Sequence, residues 1–255
     1  MDNAQKLPYS TDSGLGKTAK IGLIVLQTDQ TIEDEFRQLL RLDGVACYHA
    51  RIANAMEVTP ETLVQMQSDL PFAASLLPNA FEFDAIGYAC TSGATIIGEE
   101  QVAQLILAQH PHAKVSNPLS ACKAACATLK LNNIALLTPY TPEVTQALSD
   151  SLCASGIEIA RKGYFDIEDD FEVGRVDSTS IYNAIIALGE HEGCEGVFVS
   201  CTSLRVLSII LKAEKHLGKP VISSNQALAW HLLRLSGVGE KSPQFGCLFS
   251  HGLLH

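Results

Sequence analysis

The sequence predicts an α/β protein: two pseudo-symmetric parallel-sheet domains with the active site in the cleft between them. Three observations carry this expectation. Apolar, β-rich runs alternate with amphipathic helical stretches along the chain, and the alternation restarts near its middle. Two runs, AIGYACTSGATII (85–97) and GVFVSCTSLRVLSII (196–210), pass through the same Cys-Thr-Ser about 110 residues apart, a spacing of domain size.

Taken in order, residues before about Lys20 are polar and carry Gly and Ser, which reads as a loose terminus. Within them SGLGKT invites a phosphate-loop reading. That motif needs glycine where Thr11 stands, and it should follow a strand instead of preceding one. The strand-like runs IGLIVL, VACYHARI, DAIGYAC and AKVSNP come next, separated by amphipathic stretches near 33–42, 60–77 and 99–109. A small-residue helix, PLSACKAACATLKL, leads into a second series: IALLTPY, IEIARKGYF, GVFVSC and KPVISSN. The last apolar stretch, ALAWHLLRL, is expected to pack back on the first half. The first domain is then 20–118 plus about 228–255, with Cys90, and the second is 119–227, with Cys201.

Composition narrows the function. The chain has 255 residues, 47% hydrophobic and 18% charged, enough for a large core. Its 18 Lys and Arg face 28 Asp and Glu, a net charge of −10. That balance argues against nucleic acid or an anionic membrane as partner and favours a small molecule. No apolar run is long enough to span a bilayer, and the polar opening has no signal-like h-region, so a cytoplasmic protein with reduced thiols is expected from its eight cysteines.

In a parallel α/β sheet, ligands gather at the carboxyl ends of the strands, where helix N-termini present free N–H groups. Cys90 and Cys201 fall at that junction. Thr91, Ser92, Thr202 and Ser203 follow them with hydroxyls and N–H groups that could hold a carboxylate. A helix N-terminus also lowers a thiol's pKa, which suits each sulfur to act as base, nucleophile or acid. Two buried core cysteines are the plainer alternative, but two in matching contexts point to a pair of acid/base groups.

The motifs GLIVLQTDQTIEDEF, GYACTSGATIIGEE, LLTPYTPEV, DDFEVGRVDSTSI and VSCTSLRVL together resemble the aspartate/glutamate racemase superfamily. Within it the likeness is to maleate cis-trans isomerases and ectoine-utilisation proteins, with arylmalonate decarboxylases as relatives. The resemblance runs from about Lys20 to the end of the chain. It implies two pseudo-symmetric α/β domains and no cofactor or metal. It makes Cys90 the first-domain catalytic thiol and Cys201 the second-domain one: in maleate isomerases the first adds to the alkene carbon while the second handles the proton. Arylmalonate decarboxylases keep only the second-domain cysteine.

The same resemblance marks Tyr140 as a substrate contact, and it places Asp29 and Asp170 where maleate isomerases carry asparagine. An amide donates hydrogen bonds to a substrate carboxylate, whereas an ionised Asp accepts only and repels it. The expected function is therefore a cofactor-independent isomerase or racemase of a small carboxylate, either a dicarboxylate or an amino-acid derivative, working as a homo-oligomer. A decarboxylase using Cys201 and a non-catalytic two-lobed binding protein are the alternatives. Cys122 and Cys126, spaced i,i+4 among small residues, read as helix packing. Glu99 and Glu100 read as acids of a first helical turn. No Gly-x-Ser-x-Gly elbow supports a serine hydrolase.

Overall fold

The computed structural model describes residues 4–57 and 59–254. Residues 1–3, 58 and 255, parts of the segments assigned above to the terminus and the first domain, lie outside them. The first half runs β1 (Ala19–Leu26), α1 (Ile32–Leu39), β2 (Val45–Ile52), α2 (Pro60–Ser75), β3 (Ala85–Ala89), α3 (Thr91–Ile97), α4 (Glu99–Leu107), β4 (Lys114–Ser116) and α5 (Pro118–Leu129). The second runs β5 (Asn133–Thr138), α6 (Pro142–Ala154), β6 (Glu158–Tyr164), α7 (Asp170–Val173), α8 (Ser178–Gly189), β7 (Gly196–Val199), α9 (Ile210–Leu217), β8 (Val221–Ser223) and α10 (Ser224–Leu235). None of the described helices is long and apolar enough to cross a membrane.

Each half holds a four-stranded parallel sheet. The orders, β2-β1-β3-β4 and β6-β5-β7-β8, are the same when counted from the start of each half. The central strands β1, β3, β5 and β7 are almost wholly buried, as parallel strands covered on both faces must be. Connections leave β1 to one side and arrive at β3 on the other, so a crevice opens between their carboxyl ends, and the same holds for β5 and β7. Cys90 and Cys201 end the loops of those crevice strands.

Side chains punctuate the helices as the sequence suggests. Asn117 caps α5 through the N–H groups of Leu119 and Ser120, with Pro118 at the first helical position. Ser223 and Gln226 form a capping box at the start of α10. That helix packs against α5, α1 and β3. At Gly87 of β3 an added Cβ would stand 2.8 Å from Leu232 Cδ1, so the glycine lets α10 approach the first sheet closely. Cys122 and Cys126 are both buried in α5.

One expectation of local structure needs correction. Cys90 does lead at once into helix α3, but no helix follows Cys201 directly: residues 202–206 are irregular, and α9 begins only after the short 3₁₀ turn Leu207–Ile209. The cause is the backbone at Cys201, whose φ of 104° turns the chain away from a helical path. The segment crosses to the first half instead, where Thr31 Oγ1 donates to the Ser203 carbonyl at 2.7 Å.

Candidate active site

At the first corner, Cys90 sits in extended backbone as the N-cap of α3, and its Sγ accepts the Gly93 N–H at 3.1 Å. The Ser92 hydroxyl lies 3.6 Å from the same sulfur. Gly93 is required there. An added Cβ would fall 2.6 Å from Tyr88 Oη and 2.9 Å from Cys90 Sγ.

At the second corner, Cys201 Sγ accepts the Ser203 N–H at 3.4 Å, while the Cys201 N–H donates to Ser224 Oγ at 3.0 Å. Ser224 Oγ lies 2.8 Å from Thr91 Oγ1, and Thr202 Oγ1 donates to the Ala89 carbonyl at 3.3 Å. These two contacts stitch the corners together.

The expected lowering of the thiols does not occur. Burial pushes the Cys90 thiol up to about 11, against the opposing hydrogen bonds from Ser92 and Gly93. Burial raises Cys201 further, reinforced by the carboxylates of Asp170 and Asp29. Desolvation of a thiolate outweighs a few N–H donors when no cation stands nearby.

Cys90, Thr91, Ser92, Tyr140, Asp170, Cys201 and Thr202 line one cavity, with the apolar Leu26, Leu63 and Met66 on another side. Its volume of about 20 Å³ holds little more than one water, so any substrate must part its walls to enter. Among the described residues that line it there is no Lys, Arg or His, and Glu57 and Asp170 supply negative charge. Tyr140 is buried at the end of β5, and Ser200 Oγ donates to its hydroxyl at 3.4 Å.

Asp170 Oδ1 accepts the Ser203 hydroxyl at 3.0 Å and Oδ2 accepts the Thr28 hydroxyl, so this acid bridges the two halves. Burial raises its carboxyl, with Thr28 and Ser203 opposing. Ser203 thus stands behind the cavity wall. Asp29 does not line the cavity either. Its Oδ1 accepts the N–H groups of Thr31 and Ile32 at 2.7 and 2.9 Å, at the entry to α1, and its Oδ2 is buried without a partner.

Sequence reasoning missed Glu35, Ser224 and Asn225, which surround the Cys201 loop, and Asn54, whose Nδ2 donates to Thr28 Oγ1 at 2.8 Å. The polar triplet Ser223-Ser224-Asn225 just after a strand was the available signal. Glu35 carried none, because it looks like any first-turn acid.

The sequence profile of the arylmalonate decarboxylase family matches residues 84–249. The maleate isomerase of Geobacillus stearothermophilus is 26% identical over 249 residues, covering 92% of this chain and 99% of its own. A maleate-bound form of the maleate isomerase Iso from Pseudomonas putida S16 superposes with a TM-score of 0.84 at 23% identity, over 93% of this chain and 99% of its own. The Nocardia farcinica maleate cis-trans isomerase, in a mutant holding a covalently bound succinylcysteine intermediate, gives a TM-score of 0.83 at 24% identity, over 91% and 98%. The structural likeness establishes the two-domain fold.

Proposed function

This chain belongs to the arylmalonate decarboxylase family, and on that premise we propose that it is a cofactor-independent isomerase or racemase of a small carboxylate, with Cys90 and Cys201 as its reacting thiols. The observation that carries the reading is that two thiols from equivalent corners of two like-ordered sheets line one cavity. Its similarity to maleate isomerases over nearly the whole chain supports the same reading.

One sulfur starts as thiolate and the other as thiol. On an α-carbon acid, the thiolate takes the α-proton from one face and the thiol returns one to the other face, leaving the charge on the second sulfur. On an alkene, the thiolate adds to one carbon, the bond that was double turns, and expulsion of the sulfur restores the alkene and the thiolate. The Ser92 hydroxyl and the N–H groups of Thr91, Ser92 and Thr202 hold the substrate carboxylate, and Tyr140 contacts the substrate. Ionising either buried thiol is costly, so at neutral pH a minor fraction of the protein holds the reactive thiolate.

Asp170 decides the rest of the substrate. A second carboxylate beside it, in a cavity whose described lining residues include no cation, meets like charge in a poorly hydrated place. An ammonium or another donor fits instead, which favours an amino acid or diamino-acid derivative, as an ectoine-utilisation role requires, over an unsaturated diacid. A cytoplasmic setting, with the eight cysteines free, and assembly as a homo-oligomer belong to the same proposal. So does the division into 20–118 plus about 228–255 and 119–227.

The test is a panel of maleate, aspartate and 2,4-diaminobutyrate derivatives incubated in D₂O. Deuterium at the α-carbon, or change in optical rotation or alkene absorbance, is the expected result. Carbon dioxide release from an arylmalonate would identify a decarboxylase, and tight binding with no turnover would identify a binding protein.

A further inference from the structure

Cys201 holds a backbone conformation that L-residues rarely adopt, φ 104°, and no helix follows to fix it. What fixes it comes from elsewhere in the chain. Its N–H donates to Ser224 Oγ at 3.0 Å. One residue on, the Thr202 carbonyl accepts Asn225 Nδ2 at 2.9 Å, and the same nitrogen donates to Glu35 Oε2 at 2.8 Å. Glu35 Oε1 in turn accepts the N–H groups of Val206 and Leu207 at 3.0 and 2.9 Å, which closes the far end of the loop at its 3₁₀ turn. All three side chains are buried, and none lines the cavity.

We propose that Glu35, Ser224 and Asn225 are positioning residues that clamp the 201–207 loop and hold the Cys201 thiol in the cavity. Asn225 and Glu35 satisfy backbone groups that a helix would otherwise have satisfied, and Ser224 satisfies the Cys201 N–H, which a helix starting at residue 202 would leave free. Ser224 also touches Thr91 Oγ1, so the clamp sets Cys201 relative to the corner that carries Cys90. Glu35 lies on α1, in the first half of the chain, and its reach across to Val206 makes the placement of the second thiol depend on the docking of the two halves. The consequence for catalysis rests on the proposed role of Cys201, whereas the clamp and its test do not.

Released from the clamp, Cys201 leaves a place where burial and the carboxylates of Asp170 and Asp29 keep it un-ionised, and the thiolate is the form that alkylates. The experiment is iodoacetamide labelling of the whole protein, followed for each cysteine by peptide mass spectrometry across pH. In Ser224→Ala and Asn225→Ala, Cys201 is expected to label about tenfold faster or more, equivalent to a unit or more of pKa. Cys122, Cys126 and Cys194 stay within about twofold of the unaltered protein, the spread allowed for independent sites, and Cys90, whose neighbour Thr91 touches Ser224, does so in Asn225→Ala. Glu35→Gln, which keeps an acceptor for Val206 and Leu207, raises the Cys201 rate less than Glu35→Ala does. A Cys201 profile that does not move, or an equal rise at every buried cysteine, would overturn the proposal, the latter marking general loosening. Should the variants fail to fold, hydrogen exchange of the unaltered protein decides: the Cys201, Val206 and Leu207 amides must exchange as slowly as those of β7, and fast exchange contradicts the clamp.

Discussion

After Cys90 the chain coils at once into α3, and the sulfur accepts a hydrogen bond from its own helix; after Cys201 it runs irregularly from 202 to 206, pinned by residues of the opposite half and of α10. The same three letters thus serve two different constructions. The first corner is held by groups within three residues of the cysteine. The second is held by groups far away in sequence, so its geometry exists only while both halves and α10 are packed together. For the proposed two-thiol site this means that one sulfur is fixed by its own helix and the other is set when the halves meet.

The largest way to probe that difference runs through Glu35. Burial pushes its carboxyl up to about 7, against hydrogen bonds from Leu207, Asn225 and Val206, and Asp29 adds to the rise. A raised acid binds its proton more tightly folded than unfolded. Its contribution is therefore full below the ordinary value near 4.5 and is lost as pH rises through about 7, a change of about 3 kcal/mol at most. Urea unfolding at about pH 5 and pH 8 should show this loss in the unaltered protein and a smaller one in Glu35→Gln. Equal slopes would mean that Glu35 carries no such charge cost.

Gly93 tests the first corner in the same spirit. Gly93→Ala forces a Cβ against Cys90 Sγ and Tyr88 Oη, and overpacking of this kind costs roughly 1–3 kcal/mol. Denaturation should report that loss, and iodoacetamide labelling should change at Cys90 and not at Cys201. A neutral substitution would show that the α3 entry is looser than the geometry implies.

Asp170 sharpens the contrast further. It is the leading charge acting on Cys201, and a lesser influence on Cys90. Asp170→Asn should therefore bring the Cys201 labelling profile to lower pH by more than it moves Cys90. The same change restores a donor and removes a charge, so preference between maleate and an amino-acid ligand should move toward the diacid by roughly 1–3 kcal/mol. Strong maleate turnover by the unaltered protein would contradict the substrate proposed from this acid.

The alternation of strand and helix was legible because periodicity is a local property, and so was the doubling, because Cys90 and Cys201 share their neighbours. The identical strand order of the two halves then explains why both cysteines end crevice strands, a relation that the sequence implied only through the offset. The turn at Cys201 was not legible. Positive φ is signalled by glycine, and a cysteine followed by Thr-Ser-Leu-Arg-Val reads as the start of a helix. Nor could the thiol environment be read: a strand-to-helix junction suggested a depressed pKa, but burial depends on chain segments remote in sequence, as Tyr140 and Thr202, which line the same cavity as Cys90, show. Asp29 illustrates a third case. Its capping of Thr31 and Ile32 is local and could have been taken from Asp-Gln-Thr-Ile, yet the motif match drew attention to a substrate role. Glu35 was beyond reach, since its partners Val206, Leu207 and Asn225 lie in the other half of the sequence.

The most direct test of the central claim is to measure turnover by Cys90→Ser, Cys201→Ser and the double variant on one substrate from the panel, with unfolding recorded for each. A serine hydroxyl is too weakly acidic to stand in for either thiol at neutral pH. Groups that act as a unit fail together, so the account predicts that each single variant is as inactive as the double, at least about a thousandfold below the unaltered protein, with the fold intact. Near-normal turnover by either single variant would contradict a two-thiol site.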